Sequence, residues 1–123
     1  MTAPLLMEES EFHKRVDAIL AAVEAAMDNA TTDIDAELNA SILTLTFENT
    51  SKIIVNRQTP TREIWVAAKS GGFHFRYDNA SVNDATPAGS SAQWRNTRTG
   101  EPLADLLTRV IREQAGEVIN FTL

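Results

Sequence analysis

Apolar side chains near the start of the chain return every three or four residues: Phe12, Val16, Ile19, Leu20, Val23 and Met27. That is the period of one helix face, so it predicts an amphipathic helix that Ser10 can cap and that runs to about Asn29. From Asp33 the period shortens to two. Ile34, Ala36 and Leu38 alternate with Asp33, Asp35 and Glu37, as in a half-buried strand whose wet face is wholly carboxylate. Residues 42–47 read as a second strand, 48–51 as a turn and Lys52–Gln58 as a third strand, which together make a hairpin. Pro60 separates this from a strand at 63–69, and Ser70-Gly71-Gly72 turns into another at 73–77. Residues 78–91, rich in Ser, Ala, Asn and Asp, are expected to form a mobile surface loop without recognisable chemistry. A short strand at 93–97 follows. Pro102 then suits the first position of a second helix, with Leu103, Leu106, Leu107, Val110 and Ile111 on its apolar face and Gly116 at its stop. The tail, 118–123, is apolar enough to lie extended against the body.

The order helix, five or six strands, helix predicts an α+β fold. Short turns between successive strands impose antiparallel pairing. The expected architecture is a two-layer α/β sandwich, two helices packed on one face of a five- or six-stranded antiparallel sheet. The other face must then meet solvent or a partner. A length of 123 residues, 43% apolar and 23% charged, fits one globular domain over 1–123.

Charge adds an asymmetry that periodicity alone does not show. Residues 1–48 hold ten acids (Glu8, Glu9, Glu11, Asp17, Glu24, Asp28, Asp33, Asp35, Glu37 and Glu48) against Lys14 and Arg15, a net charge of −8. The remaining residues carry nine bases and seven acids. A one-sided negative field attracts cations and basic protein surfaces, and it repels nucleic acid and anionic membranes. With no cysteine, a metal here must be met by oxygen or imidazole, and the chain holds no cluster of its own through thiolates. The first residues lack the basic region of a secretory signal, and no stretch approaches the roughly 20 apolar residues that span a bilayer. The cytoplasm is the expected home.

At about 100° per residue, Asp17, Glu24 and Asp28 fall within roughly 40° on the first helix, away from its apolar stripe. A solvated helix face accounts for that pattern, and so does a cation site. No interleaved lysine offsets the repulsion. His13 sits one turn before Asp17, either as a nitrogen ligand or as a plain surface histidine. His74, between Phe73 and Phe75, reads as structural or as part of the sheet surface. Alternation places Trp65 on the uncovered sheet face, where Arg57 and Gln58 are candidates for a polar rim. An exposed tryptophan is ordinary surface or a binding anchor. No nucleophile–base arrangement or phosphate loop is visible, so a non-enzymatic protein is expected.

Several segments together resemble the frataxin family: Ser10-Glu11-Phe12-His13, Asp33-Ile34-Asp35-Ala36-Glu37 and Leu43-Thr44-Leu45-Thr46-Phe47-Glu48. So do Ser51-Lys52-Ile53-Ile54-Val55-Asn56-Arg57-Gln58, Ile64-Trp65-Val66-Ala67, Lys69 and Gly71-Gly72-Phe73-His74-Phe75. The resemblance implies weak binding of iron (Fe2+/Fe3+) along an acidic ridge, and docking onto the cysteine desulfurase and scaffold protein of iron–sulfur cluster assembly. Carried over by position, the ridge is Glu24, Asp28, Asp33, Asp35 and Glu37, and the partner-binding surface is Asn56, Arg57, Gln58 and Trp65. It further implies a monomer, with iron-driven oligomers in some members, and regulation that slows assembly in bacteria and activates it in eukaryotes. The chain departs from close relatives in carrying Ala25 and Asn29 where they have further acids, Ala30-Thr31-Thr32 in an often aspartate-rich link, and a longer loop at 78–91.

Three functions are compatible with these residues. An iron-responsive regulator uses the ridge for iron and partner alike. An iron oxidase or store needs a closely spaced metal pair. A purely electrostatic docking module uses the carboxylates for the partner alone.

Overall fold

The computed structural model describes residues 7–78 and 93–123. In chain order these form α1 (Glu9–Asp28), β1 (Asp35–Asn39), β2 (Ile42–Thr46), β3 (Lys52–Gln58), β4 (Glu63–Ala68), β5 (Gly71–Asp78), β6 (Gln93–Asn96) and α2 (Leu103–Ala115). The strands make one sheet in sequence order, each antiparallel to its neighbours. This is the expected two-layer α+β sandwich, with six strands among the described residues.

The core follows from the two periods. α1 buries Phe12, Val16, Ile19, Leu20, Val23 and Met27, and α2 buries Leu103, Leu106, Leu107, Val110 and Ile111. They share a core with Leu43, Leu45, Ile53, Val55, Ile64, Val66 and Phe75 from alternate sheet positions. Each such side chain removed from water contributes about 1.5–3 kcal/mol, so both helices belong to one layer on one sheet face. Gln114 extends the α2 stripe with a polar group. Its Oε1 accepts from Lys69 N at 2.9 Å and its Nε2 donates to Ser51 Oγ at 3.0 Å, fastening the helix end to two turns.

The register sorts the other side chains by face. One helix-side row runs Leu38, Leu43, Val55, Val66, Phe73 across five strands. The open-side rows are Asn39, Ile42, Asn56, Trp65, His74; Glu37, Thr44, Ile54, Ala67, Gly72; and Gln58, Glu63, Arg76, Arg95.

Several boundaries move. Glu8, not Ser10, is the N-cap of α1, and it makes no side-chain capping bond. The helix therefore begins two residues earlier than the Ser10 signal. Pro102 is the N-cap of α2 rather than its first helical residue. β1 begins at Asp35, leaving Asp33 and Ile34 in the link, and Asp78 completes β5. The rest of the expected 78–91 loop lies outside the described residues. Gly116 stops α2 as expected: at φ 73° it occupies the left-handed region, and its N–H donates to Arg112 O at 2.9 Å. In the tail Ile119, Phe121 and Leu123 pack against the core, while Val118 is 61% exposed.

Candidate functional site

The five carboxylates expected to form an acidic ridge come from two layers and the link between them. Asp28 is the last residue of α1 and Glu24 lies one turn before it, and the last turn carries no basic residue. Helix C-termini bear partial negative charge, so carboxylates there are unfavourable and a cation is favoured. Asp33 is exposed in the link, and Asp35 and Glu37 are exposed on β1, an edge strand. By register Asp35 and Glu37 belong to the open side of the sheet, away from the helices. The helical and strand carboxylates thus belong to different layers. Among the described residues, none of these five carboxylates is ion-paired. Charge on an edge strand also blocks edge-to-edge pairing, which needs no ligand.

Carboxylate oxygens are suitable hard donors for iron. Among the described residues, however, no three His, Asp or Glu side chains come together as a metal-holding group. The ridge therefore fits open contacts through individual carboxylates, with water completing the coordination shell, and does not fit a protein cage.

The link between the two halves of the ridge is held from the tail. Glu117 accepts from Thr31 N at 2.8 Å, Thr32 N at 2.9 Å and Thr32 Oγ1 at 2.5 Å. The Thr32 hydroxyl and the two backbone N–H groups hold its carboxyl at a pKa of about 2. Sequence reasoning did not single out Glu117, because a carboxylate in a tail carries no periodic signal.

His13 stands apart from the ridge. Its Nδ1 accepts from Arg57 Nη1 at 2.7 Å, and its Nε2 lies 3.5 Å from Glu9 Oε2. Eleven helical residues separate it from Glu24, about 16 Å along the axis. Arg57 also departs from its expected place on the open sheet face. Paired with Ile64, it belongs to the helix side, and its guanidinium bridges to Asp17 of α1 with the side chain only 10% exposed. Alternation along β3 requires this, since Asn56 and Gln58 take the open face on either side of it. Arg57 and Asp17 thus join α1 to β3.

Asn56, Gln58 and Trp65 do share the open face. Trp65 is half-buried rather than exposed. It stacks on His74 with ring centroids 4.2 Å apart and planes 6° from parallel. Its Nε1 donates to Glu63 Oε1 at 2.7 Å, and Glu63 Oε2 accepts from Arg76 Nη2 at 2.9 Å. Glu63 was missed by sequence reasoning. Its position two residues before Trp65 on one strand face was the available signal.

Comparison with known proteins matches residues 5–117 to the model of the frataxin-like domain. The chain is 46% identical over 115 residues to the iron-sulfur cluster assembly protein CyaY of Pseudomonas aeruginosa, covering 94% of this chain and 97% of that protein. The protein of the same name from Paraburkholderia xenovorans is 44% identical over 115 residues, covering 94% and 98%. Among solved structures, the frataxin of Psychromonas ingrahamii superposes with a TM-score of 0.79 at 32% identity, covering 95% of this chain and all of that one. Trimeric frataxin from the yeast Saccharomyces cerevisiae, with a TM-score of 0.62 at 24% identity and coverages of 95% and 94%, shares the fold.

Proposed function

The chain belongs to the frataxin-like family, and on that premise we propose that it is an iron-responsive, non-enzymatic regulator of iron–sulfur cluster assembly that binds the cysteine desulfurase and its scaffold protein. The observation that carries this proposal is that Glu24, Asp28, Asp33, Asp35 and Glu37 have no ion-pair partner among the described residues. Lysines and arginines among the described residues do not pair with these groups, and Asp28 sits where the end of α1 already favours a cation. Exposed carboxylates that leave most of iron's coordination to water bind it weakly. Weak binding suits a sensor, since iron must leave again. The same field attracts a basic surface of the desulfurase, while Asn56, Gln58 and Trp65 offer the open sheet face to the scaffold. Arg57 serves this arrangement from the helix side by tying α1 to β3.

A second function, the purely electrostatic docking module, is favoured by the lack of a three-donor metal group among the described residues. The same observation weighs against an oxidase or store, whose chemistry needs closely spaced donors. The test is cluster assembly with purified desulfurase and scaffold, titrated with this protein at several iron concentrations. A regulator changes the assembly rate in an iron-dependent manner, and Asp33→Lys with Asp35→Lys removes both iron and desulfurase binding. A docking module loses only the partner in that variant, and its effect on assembly is the same at every iron concentration. Oxygen consumption with iron(II), measured against a protein-free control, would reveal an oxidase.

A further inference from the structure

Glu63 opens β4 with its side chain only 9% exposed, although it belongs to the sheet side opposite α1 and α2. A carboxylate withdrawn from water must be compensated. Arg76 from β5 supplies one partner at 2.9 Å and the Trp65 indole supplies the other at 2.7 Å. His74 stacks on the same indole, and its Nδ1 lies 3.9 Å from the same Glu63 oxygen. The ring of Trp65 is therefore held by its polar edge and across one face. We infer that Glu63 is a positioning residue for docking, fixing the Trp65 indole in the orientation a protein partner meets. This rests on the proposed role of Trp65 as an anchor for the scaffold. With its N–H engaged inside the fold, the indole has no donor left for that partner. The matching chemistry is an apolar or aromatic group set against the ring's rim and the face turned away from His74.

The device is local in sequence. Glu63 and Trp65 are two apart on one strand face, so β4 alone brings them together, and Arg76 secures the carboxylate from the next strand. A side chain ordered before binding loses less freedom on binding, which is worth about 3- to 10-fold in affinity.

The test measures 15N relaxation of the Trp65 indole in the full chain, together with titration against purified scaffold protein. Glu63→Asp keeps the charge for Arg76 but draws the oxygen back by one methylene. It should mobilise the indole and weaken binding about 3- to 10-fold. Glu63→Gln retains one oxygen as acceptor for the N–H but turns its amide N–H2 toward Arg76, so indole order and affinity should stay closer to wild type than in Glu63→Asp while stability falls. A merely structural role would lower the melting temperature and leave indole order in the folded protein unchanged. A rigid indole and unaltered affinity in Glu63→Asp would overturn the inference. Trp65→Ala separates the two levels: unchanged binding there sinks the anchor itself, whereas weakened binding beside an unaffected Glu63→Asp sinks only the positioning role.

Discussion

Asp28 and Glu63 are both carboxylates at the ends of regular elements, and their surroundings give them opposite uses. Asp28 closes α1 in solvent, at the negative end of a helix with no basic residue in its last turn. Glu63 opens β4 out of solvent, with both oxygens taken by Arg76 and Trp65. The ridge leaves its charge unsatisfied, so an external cation or basic surface gains something by arriving. The sheet face satisfies its charge internally and presents a fixed aromatic ring instead. On the proposed function these would be two contact regions of different chemistry, one acting through its field and one through shape.

The largest effect is expected where shape matters. Trp65→Ala should weaken scaffold binding by about 30-fold or more, the roughly 2 kcal/mol typical of an aromatic hot spot. Isothermal titration reads it directly, and an affinity within a few-fold of wild type would remove the sheet face from the comparison. Next is Glu63→Ala, which leaves the Trp65 N–H without its acceptor and the part-exposed Arg76 without its carboxylate. A loss of about 1–3 kcal/mol in urea unfolding is expected, with the ion pair discounted because Arg76 is 54% exposed.

The ridge should respond with the opposite sign. A cation at ten times its dissociation constant stabilises the fold by about 1.4 kcal/mol through binding linkage. Melting curves in iron(II) without oxygen, or in calcium, should therefore shift upward, and the shift should shrink in Asp33→Lys with Asp35→Lys. Curves that stay in place across both cations would count heavily against the ridge as a cation site. A smaller effect comes from neutralising the helical pair. Glu24→Gln with Asp28→Asn should raise stability at low salt by about 0.3–1 kcal/mol, since it relieves both the helix-end interaction and the mutual repulsion. Destabilisation by this pair would mean that the ridge and Glu63 do not differ in the way their partners indicate.

The layers of the fold were legible because each rests on a repeating pattern. The 3.6-residue stripe from Phe12 to Met27 and the alternation through β2 to β4 each read correctly from apolar spacing alone. The ridge residues came from charge and from resemblance, but their division between layers did not. It depends on where the link bends between Asp28 and Asp35, which no period encodes. Arg57 was misplaced for a simpler reason. The motif Asn56-Arg57-Gln58 was treated as one surface, although successive strand residues face opposite ways. Gln114 and Glu117 act by joining segments distant in sequence, and pattern reasoning has no access to such pairings before the fold is known. Glu63 differs, since its two-residue spacing from Trp65 on one strand face was a signal left unused.

The smallest predicted effect concerns how the two halves of the ridge are kept in register. Glu117 clamps Thr31 and Thr32, and its folded pKa is about 2 against an ordinary 4.5. The sign follows from linkage: the clamp contributes fully above about pH 4.5, where the carboxylate is ionised in the folded and unfolded chains alike. As the pH falls toward about 2 the unfolded chain takes up the proton first, and the contribution disappears. Wild type should therefore lose more of its thermal midpoint than Glu117→Gln across that interval, since the amide has no proton to gain. The other carboxylates titrate in both proteins, so the difference between the two curves isolates this one. Water can replace part of the bonding to a carboxylate in contact with solvent, which keeps the difference modest. Parallel curves would mean that the tail does not hold the α1–β1 link, and that the spacing of helix and strand carboxylates is set by the sheet edge alone.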